Sequence, residues 1–476
     1  MRKENTGAMP FGWALFCIAF LLLSMVASVL WLNIPVHVNL LVSISLTLGV
    51  AYVNGKPWKE LAAAIEYGGQ FCITPTIIMM LIGCLIASWI ASGTVPMIIY
   101  WGLKIIDPSI FLVTACIICA VCSIYIGSSW STAGTVGVAL IGIGAGLGVN
   151  PAMTAGAIVS GAYLGDKMSP MSDTTNLASA VAEADLFDHI KSMMYTTLPA
   201  FIISLGIYGF LGANFSAQGV NSEQIAATLT AIEQHFKMNP FLLLPPLIVI
   251  VMAVFKCPSI PTLLFATLAA SILAMVFQGQ SLSSVASILD GGFSIKTGLA
   301  DFDRLMSRGG LQNMLWTAAL GMLGMLYGAI MEKTGLLSSF LEKMKPLVKN
   351  TGGLITTVIF SSIILLAATA SQTLAIVVGG RMYISEFKKK DLLPQVLSRT
   401  LEDSGTIVSP LIPWSLCGVY MAGTLGVPTL SYLPYAFLCW LCPLIAIIYG
   451  FSGIFVWKTG THATQRSYRD DPAPEA

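Results

Sequence analysis

Charge is what this sequence has least of. Of its 476 residues only 10% are Asp, Glu, Lys or Arg, while 56% are hydrophobic. Soluble proteins carry about 25% charged residues, so no ordinary water-facing surface can be built from this composition. The formal net charge of +1 leaves no excess of either sign for an oppositely charged partner such as nucleic acid. Histidine is scarcer still, with only His37, His189, His235 and His462. No Gly-x-x-x-x-Gly-Lys-[Ser/Thr] run is present, and no soluble stretch is large enough to hold a nucleotide, so ATP is not implied. These shortages exclude a soluble enzyme, a DNA-binding protein, a disordered chain and a disulfide-built secreted domain. What the chain has instead is a series of apolar runs between Phe11 and Trp457, each about long enough to cross a bilayer as a helix. It reads as a polytopic, all-α membrane protein.

Ten cysteines do not change this reading. Cys116, Cys119 and Cys122 have a spacing seen in metal clusters, but the same spacing is a helical stripe of small apolar side chains. With no histidine nearby, packing is the expectation. The run Phe11–Leu32 is long for a signal segment and lacks an evident cleavage site, so it reads as a retained span.

The chain repeats itself. Gly68-Gly69 opens an apolar run ending at Gly93-Thr94, and Gly309-Gly310 opens another ending at Thr334-Gly335, an offset of 241 (309 less 68). Ser128-Ser129-Trp130-Ser131-Thr132 answers Thr369-Ala370-Ser371-Gln372-Thr373, and Gly165 to Pro170 answers Gly405 to Pro410 at an offset of 240 (405 less 165). The expected organisation is a first transmembrane repeat at 11–214, a polar linker at 215–239, a second repeat at 240–457 and a cytoplasmic tail at 458–476. The segments 95–106 and 335–349 are too short or too charged to cross and read as interfacial helices. The runs 109–148 and 353–386, interrupted midway by hydroxyl residues, read as re-entrant hairpins. Each half then has about five crossings plus one hairpin, and the odd number inverts the second half. Placing both termini inside puts seventeen basic residues on the cytoplasmic side, against Lys104, Lys237, Lys296, Arg304 and Arg308 outside. Counting the interfacial helices as spans gives twelve crossings and parallel repeats instead.

Inverted repeats with broken helices place a transporter's site near the bilayer midplane. Unwound backbone survives there only where it is buried or lines a polar cavity. Four breaks stand out: Gly127–Thr132, Gly165–Asn176, Thr369–Thr373 and Glu402–Pro413. Within the second, Asp166, Lys167 and Asp173 stand inside a crossing. One such charge costs at least about 2.5–3.5 kcal/mol at the bilayer centre, which packing alone does not justify. Pro170 breaks the helix, and Asp173, Thr174, Thr175 and Asn176 then supply the hard oxygens that a small cation requires. Burial raises a carboxylate's affinity for protons and a bound cation lowers it, so one site can exchange the two.

The segment Gly165-Asp166-Lys167-Met168-Ser169-Pro170-Met171-Ser172-Asp173-Thr174-Thr175-Asn176-Leu177-Ala178 resembles the signature of NhaC-type Na⁺/H⁺ antiporters. The likeness continues through Asp185 to Ile190, Met194 to Thr197, Leu401 to Gly405 and Ser409 to Trp414. It implies membership of the ion-transporter group of inverted-repeat carriers with paired hairpins. That family also holds exchangers of carboxylates such as malate and lactate, so the resemblance leaves the substrate open.

The site expected from these readings binds Na⁺ through Asp173, Thr174 and Asn176, with Asp166, Thr175, Ser131 and Thr132 as further ion ligands. Proton coupling is assigned to Asp166, Lys167, Asp173, Glu402 and Asp403. Each has a plainer reading: Asp173 to Asn176 as a helix cap, Asp166 with Lys167 as a structural ion pair, Glu402 and Asp403 as contacts of Arg399. The second half is not a copy, since Thr406 stands opposite Asp166 and Pro413 opposite Asp173. Glu183, Asp185, Asp188, His189 and Lys191 read as a solvated loop rather than a pH sensor, and Trp101, Trp414 and Trp457 as anchors or packing.

The function expected is a secondary active transporter of the cytoplasmic (inner) membrane that exchanges Na⁺ for H⁺ by alternating access. It is not an enzyme, needs no cofactor, binds no nucleic acid and is compatible with a homodimer. The alternative is a Na⁺-coupled carrier of a small carboxylate or amino acid, held at the half-helix starts by Ser128, Ser129, Ser371, Gln372 and Thr373. A channel fits paired re-entrant breaks less well. An intramembrane enzyme would need a nucleophile–base pair or metal triad that the spans lack.

Overall fold

A computed structural model describes residues 9–32, 34–217, 222–255, 257–343 and 350–459. The tail beyond Thr459, the end of the segment 335–349, part of the linker and several basic residues used for orientation (Arg2, Lys3, Lys256, Lys345, Lys349, Arg466 and Arg469) lie outside that set. The first half comprises α1 (Phe11–Ala27), α2 (Val36–Val53), α3 (Trp58–Ala91), α4 (Thr94–Ile105), α5 (Phe111–Ile126), α6 (129–146), α7 (Pro151–Met168), α8 (Asp173–Val181) and α9 (Leu186–Ala217). After α10 (Ser222–His235) come α11 (Leu244–Val254), α12 (Ser259–Gln278), α13 (Leu282–Gly291), α14 (Ala300–Met306), α15 (Leu311–Lys333) and α16 (Leu336–Glu342). The chain ends with α17 (Thr351–Thr369), α18 (Gln372–Lys389), α19 (Pro394–Leu401), α20 (Leu416–Leu425), α21 (Thr429–Tyr432) and α22 (Phe437–Ser452). Among the described residues, six helices are individually long and apolar enough to cross a membrane, or up to nine when three bent pairs are each taken as one span. The protein is an all-helical, multi-pass membrane protein.

Two boundaries differ from the sequence reading. The run opening at Gly68 is the inner part of α3, which starts ten residues earlier because Lys59-Glu60-Leu61-Ala62-Ala63-Ala64 are strong helix formers. The polar linker contains α10, whose Thr228, Ala231 and Ile232 are buried, and Tyr100 donates a hydrogen bond to Glu233 across it (2.6 Å).

At the centre, α3 and α15 pack antiparallel. Gly68 faces Leu326 and Ala329, Gly83 faces Gly310 and Met314, and Gly309 faces Ala87. Close approach without side chains lets the Gly310 N–H donate to the Gly83 carbonyl at 2.7 Å. The glycine that opens each of these two apolar runs therefore lies against the far half of the other run.

Flanking this pair, α5 and α6 form a hairpin. Gly144 at its exit lies against Phe111 at its entry, so the chain returns to the level at which it came in. From there α7 runs beside α5 toward the tip, with Gly161 against Cys116 and Cys119 and Gly165 against Ser123 and Ile124. The cysteine stripe thus serves helix packing, with Cys116 and Cys119 fully buried. A second hairpin is formed by α17 and α18, where Gly379 returns to Ser362. Beside it run α19 and a π-helical turn, Glu402–Thr406, placing Gly405 against Ile376. The exit of α8 packs Val181 on Gly380 of the second hairpin, and the exit of α20 packs Leu425 on Gly137 of the first. Each broken helix therefore leaves past the other half's hairpin, and the two hairpins open toward opposite ends of the assembly.

Candidate functional site

Each hairpin tip is made the same way. A residue in the left-handed region turns the chain (Gly127, φ +72°; Ala370, φ +54°), and the next serine caps the returning helix. Ser128 Oγ accepts from the Ser131 N–H at 3.2 Å, and Ser371 Oγ accepts from the Leu374 N–H at 3.3 Å. Ser128 and Ser371 are thus occupied as caps.

The first tip meets the break after α7. Asp166, only 7% exposed, accepts from Ser129 Oγ (2.6 Å) and from Ser172 Oγ (2.8 Å). Two hydroxyls from two elements therefore converge on one buried carboxylate, and rotation of their O–H groups would turn their oxygens to a cation there. Asp173 opens α8, where the helix dipole favours its negative charge. Asp166, Asp173, Thr174, Ser128, Ser131 and Gln372 all line one cavity of about 610 Å³. Its wall also includes Trp130, Thr135, Tyr420 and, at the outer edge, Cys257, Pro258 and Ser259. Among the described residues that line it, none is Lys, Arg or His.

Other expected ligands face elsewhere. Thr175 Oγ1 donates to the Asp166 carbonyl (3.1 Å) and the Lys167 carbonyl (2.9 Å), closing the frayed end of α7. Asn176 Nδ2 donates to the carbonyls of Pro170 (2.9 Å) and Ser172 (2.8 Å), bracing the break. Thr132 is buried with its hydroxyl on the Ser128 carbonyl, and Thr373 is exposed away from the cavity.

Lys167 is not paired with Asp166. Neighbours on a helix point about 100° apart, and Lys167 turns to the second half, where it pairs with Asp403. Thr196 Oγ1 of α9 donates to the same Asp403 oxygen at 3.0 Å. Lys167, Glu402 and Asp403 are all fully buried. Neither carboxyl oxygen of Glu402 makes a hydrogen bond among the described residues. The plainer reading of these acids as contacts of Arg399 is met by no hydrogen bond or ion pair among the described residues. Arg399 donates to the Phe455 carbonyl (3.0 Å) and lies over the Trp457 ring. His189 also departs from the solvated-loop reading, since its ring is wholly buried at the start of α9. Glu183 does lie at the surface, where it pairs with Lys388 at 2.9 Å.

Sequence reasoning did not single out Ser172, Thr196 or Tyr420. Ser172 was visible as a polar residue in the break. Tyr420 and Thr196 had no local signal, because their partners lie 290 and 207 residues away. Tyr420 stacks on Trp130 (centroids 4.1 Å apart, planes at 13°) and donates its O–H to the Trp130 carbonyl at 2.7 Å.

Comparison with known proteins adds to this geometry. Residues 161–454 match the model of the Na⁺/H⁺ antiporter family. The chain is 37% identical to the Na⁺/H⁺ antiporter NhaC of Alkalihalophilus pseudofirmus, over 98% of this chain and 100% of that protein. It is 35% identical to the malate-2H⁺/Na⁺-lactate antiporter of Bacillus subtilis, covering 90% of this chain and 92% of that one. It is 37% identical to the arginine/ornithine antiporter ArcD of Halobacterium salinarum, covering 94% and 92%.

Proposed function

The chain belongs to the Na⁺/H⁺ antiporter family, and on that premise we propose how its cavity carries out the exchange. It is a secondary active transporter that exchanges Na⁺ for H⁺. Asp166 and Asp173 are the groups for which Na⁺ and protons compete. One juxtaposition carries this reading: a buried carboxylate on a broken helix, held by one hydroxyl from a hairpin tip and one from the break, on the same cavity as a second, solvent-facing carboxylate. Na⁺ arriving through the cavity meets Asp173 and Thr174 first, then Asp166 with Ser129 and Ser172. Binding at Asp166 displaces its proton and redirects both hydroxyls from donors to oxygen ligands. Lys167 is neutralised within its buried pair with Asp403, which leaves Asp166 as a carboxylate held by hydroxyls alone and open to Na⁺ or a proton.

The antiparallel packing of α3 on α15 and the opposite openings of the hairpins support an inverted pair of repeats. The positive-inside count supports both termini in the cytoplasm. A carboxylate substrate of the malate or lactate kind would need a basic or strongly donating wall. Two carboxylates and no basic side chain among the described lining residues favour a cation cargo.

The test is Na⁺-driven dequenching of a pH dye in proteoliposomes, with and without malate, lactate or arginine. Exchange is expected with Na⁺ alone. Asp166→Asn and Asp173→Asn are each expected to fall to the empty-vesicle rate while eluting as folded protein. Normal exchange in either variant removes that aspartate from the mechanism, and strict dependence on an organic solute replaces the cargo assigned here.

A further inference from the structure

We propose that Trp130 and Tyr420, backed by Ile82, form the seal that keeps the Na⁺ and H⁺ fluxes coupled. The proposal rests on the exchange reading above and names residues that reading does not use. A second cavity, of about 900 Å³, lies beyond the first. Its wall includes Asn150 at the base of the first hairpin, Arg304 and Arg308 before α15, and Gly423 of α20. The two cavities sit at successive levels along α3, the first toward its Trp58 end and the second toward its Ala91 end, so they approach from opposite faces.

Three separate elements touch both cavities. On α3, Ile82 lines the first and Ile86 the second. On α20 the pair is Tyr420 and Gly423, and on the returning arm of the first hairpin it is Thr135 and Ile141. At about 1.5 Å of rise per residue, these separations leave a wall about 4.5 to 9 Å thick. One helical turn of protein divides the two vestibules.

The wall is apolar and aromatic. The Trp130 ring lies on Tyr420, whose O–H is tied to the Trp130 carbonyl. Gly134 sits between Ile82 and Tyr420 so tightly that a Cβ there would come within 2.9 Å of both. The carboxylates of the site line the first cavity only, and Arg304 and Arg308 line the second only. An apolar constriction this thin stops ions because they would have to shed water with nothing to replace it. Its thinness also makes it fragile, since a gap holding one water needs only about 30 Å³. Trp130 and Tyr420 are positioning residues here. They bind no ion, and they prevent an ion or proton from passing without the site.

The experiment uses the full chain in vesicles loaded with a pH dye, with no Na⁺ on either side and an imposed proton gradient. Wild type is expected to hold the gradient, and Trp130→Ala to dissipate it about tenfold faster or more, a barrier loss of about 1.4 kcal/mol. Trp130→Phe is expected to restore tightness. Tyr420→Phe keeps the stack, loses the bond to the Trp130 carbonyl, and is expected to leak at an intermediate rate. Val149→Ala, on the second cavity alone, is expected to stay tight. The leak should persist in the Trp130→Ala, Asp166→Asn double variant, because it bypasses the site. Asp166→Asn alone tests the exchange reading and should not leak. Tight vesicles with folded Trp130→Ala, or an equal leak in Val149→Ala, would overturn the seal. If Trp130→Ala does not fold, Tyr420→Phe decides: a leak supports the seal and a held gradient overturns it.

Discussion

Asp166 and Lys167 are adjacent, yet they belong to different halves of the molecule. The helix turns one toward the first hairpin and the other across to Asp403. Sequence reasoning saw that three charges in a crossing must have work to do. It could not see the lysine's partner, 236 residues away, and Arg399 looked the nearer choice for Asp403. Periodicity reports which way a side chain leaves its own helix, not which distant helix receives it. The pairing has a measurable consequence. Removing one partner of a buried ion pair typically costs about 3–5 kcal/mol, whereas replacing both with apolar groups is often nearly neutral. Lys167→Met and Asp403→Leu are each expected to lower the melting temperature in detergent by several degrees. The double variant should return close to wild type in stability. It should nevertheless exchange more slowly, because the pair that ties the break of the first half to the π-helical turn of the second is gone. A double variant that is stable and exchanges normally would make the pair purely structural.

Both hairpins were legible as elements, because hydroxyl residues interrupting an apolar run have few other uses in a membrane. The turn of the second was not, since Ala370 holds a left-handed conformation usually left to glycine. It is fixed by its surroundings instead, with the Ala370 carbonyl accepting from the Leu416 N–H at 2.9 Å and Trp414 Nε1 donating to the Ala367 carbonyl at 2.7 Å. The repeat signature Gly165 and Gly405 looked equivalent in sequence, but packing makes them unequal. A Cβ on Gly165 would lie 2.3 Å from backbone atoms of Ser123 and Ile124, which cannot move without shifting α5. On Gly405 the nearest atom is the Ile376 side chain at 3.1 Å. Gly165→Ala should therefore lower stability by about 1–3 kcal/mol, the usual range for overpacking. It should also weaken Na⁺ dependence by drawing Ser129 away from Asp166. Gly405→Ala should be close to silent in both thermal melting and exchange. Equal effects at the two positions would mean that the close contact of α7 with α5 is not what holds the site together.

The molecule as a whole presents different chemistry at its two ends: an acidic vestibule reaching the site, and a basic one stopping a helical turn short of it. This asymmetry assigns the conformation, since Asp166 and Asp173 share the first cavity and are walled off from the second. It is open toward the Trp58 end of α3, the end that the orientation proposed above from basic residues places in the cytoplasm. A native reporter stands at that opening. Cys257 is exposed at the cavity's edge, whereas the other nine cysteines are buried or half-buried. In a chain retaining Cys257 alone, a membrane-impermeant maleimide should react from the cytoplasmic side of oriented vesicles and not from the other. If α3 and the hairpins exchange the accessible end during transport, conditions favouring the opposite state should slow that labelling without abolishing it. Labelling from the outer side alone would invert the orientation of the whole assembly while leaving its internal geometry intact. The orientation rests on charge counting and the site on packing, and this measurement tests the first without disturbing the second.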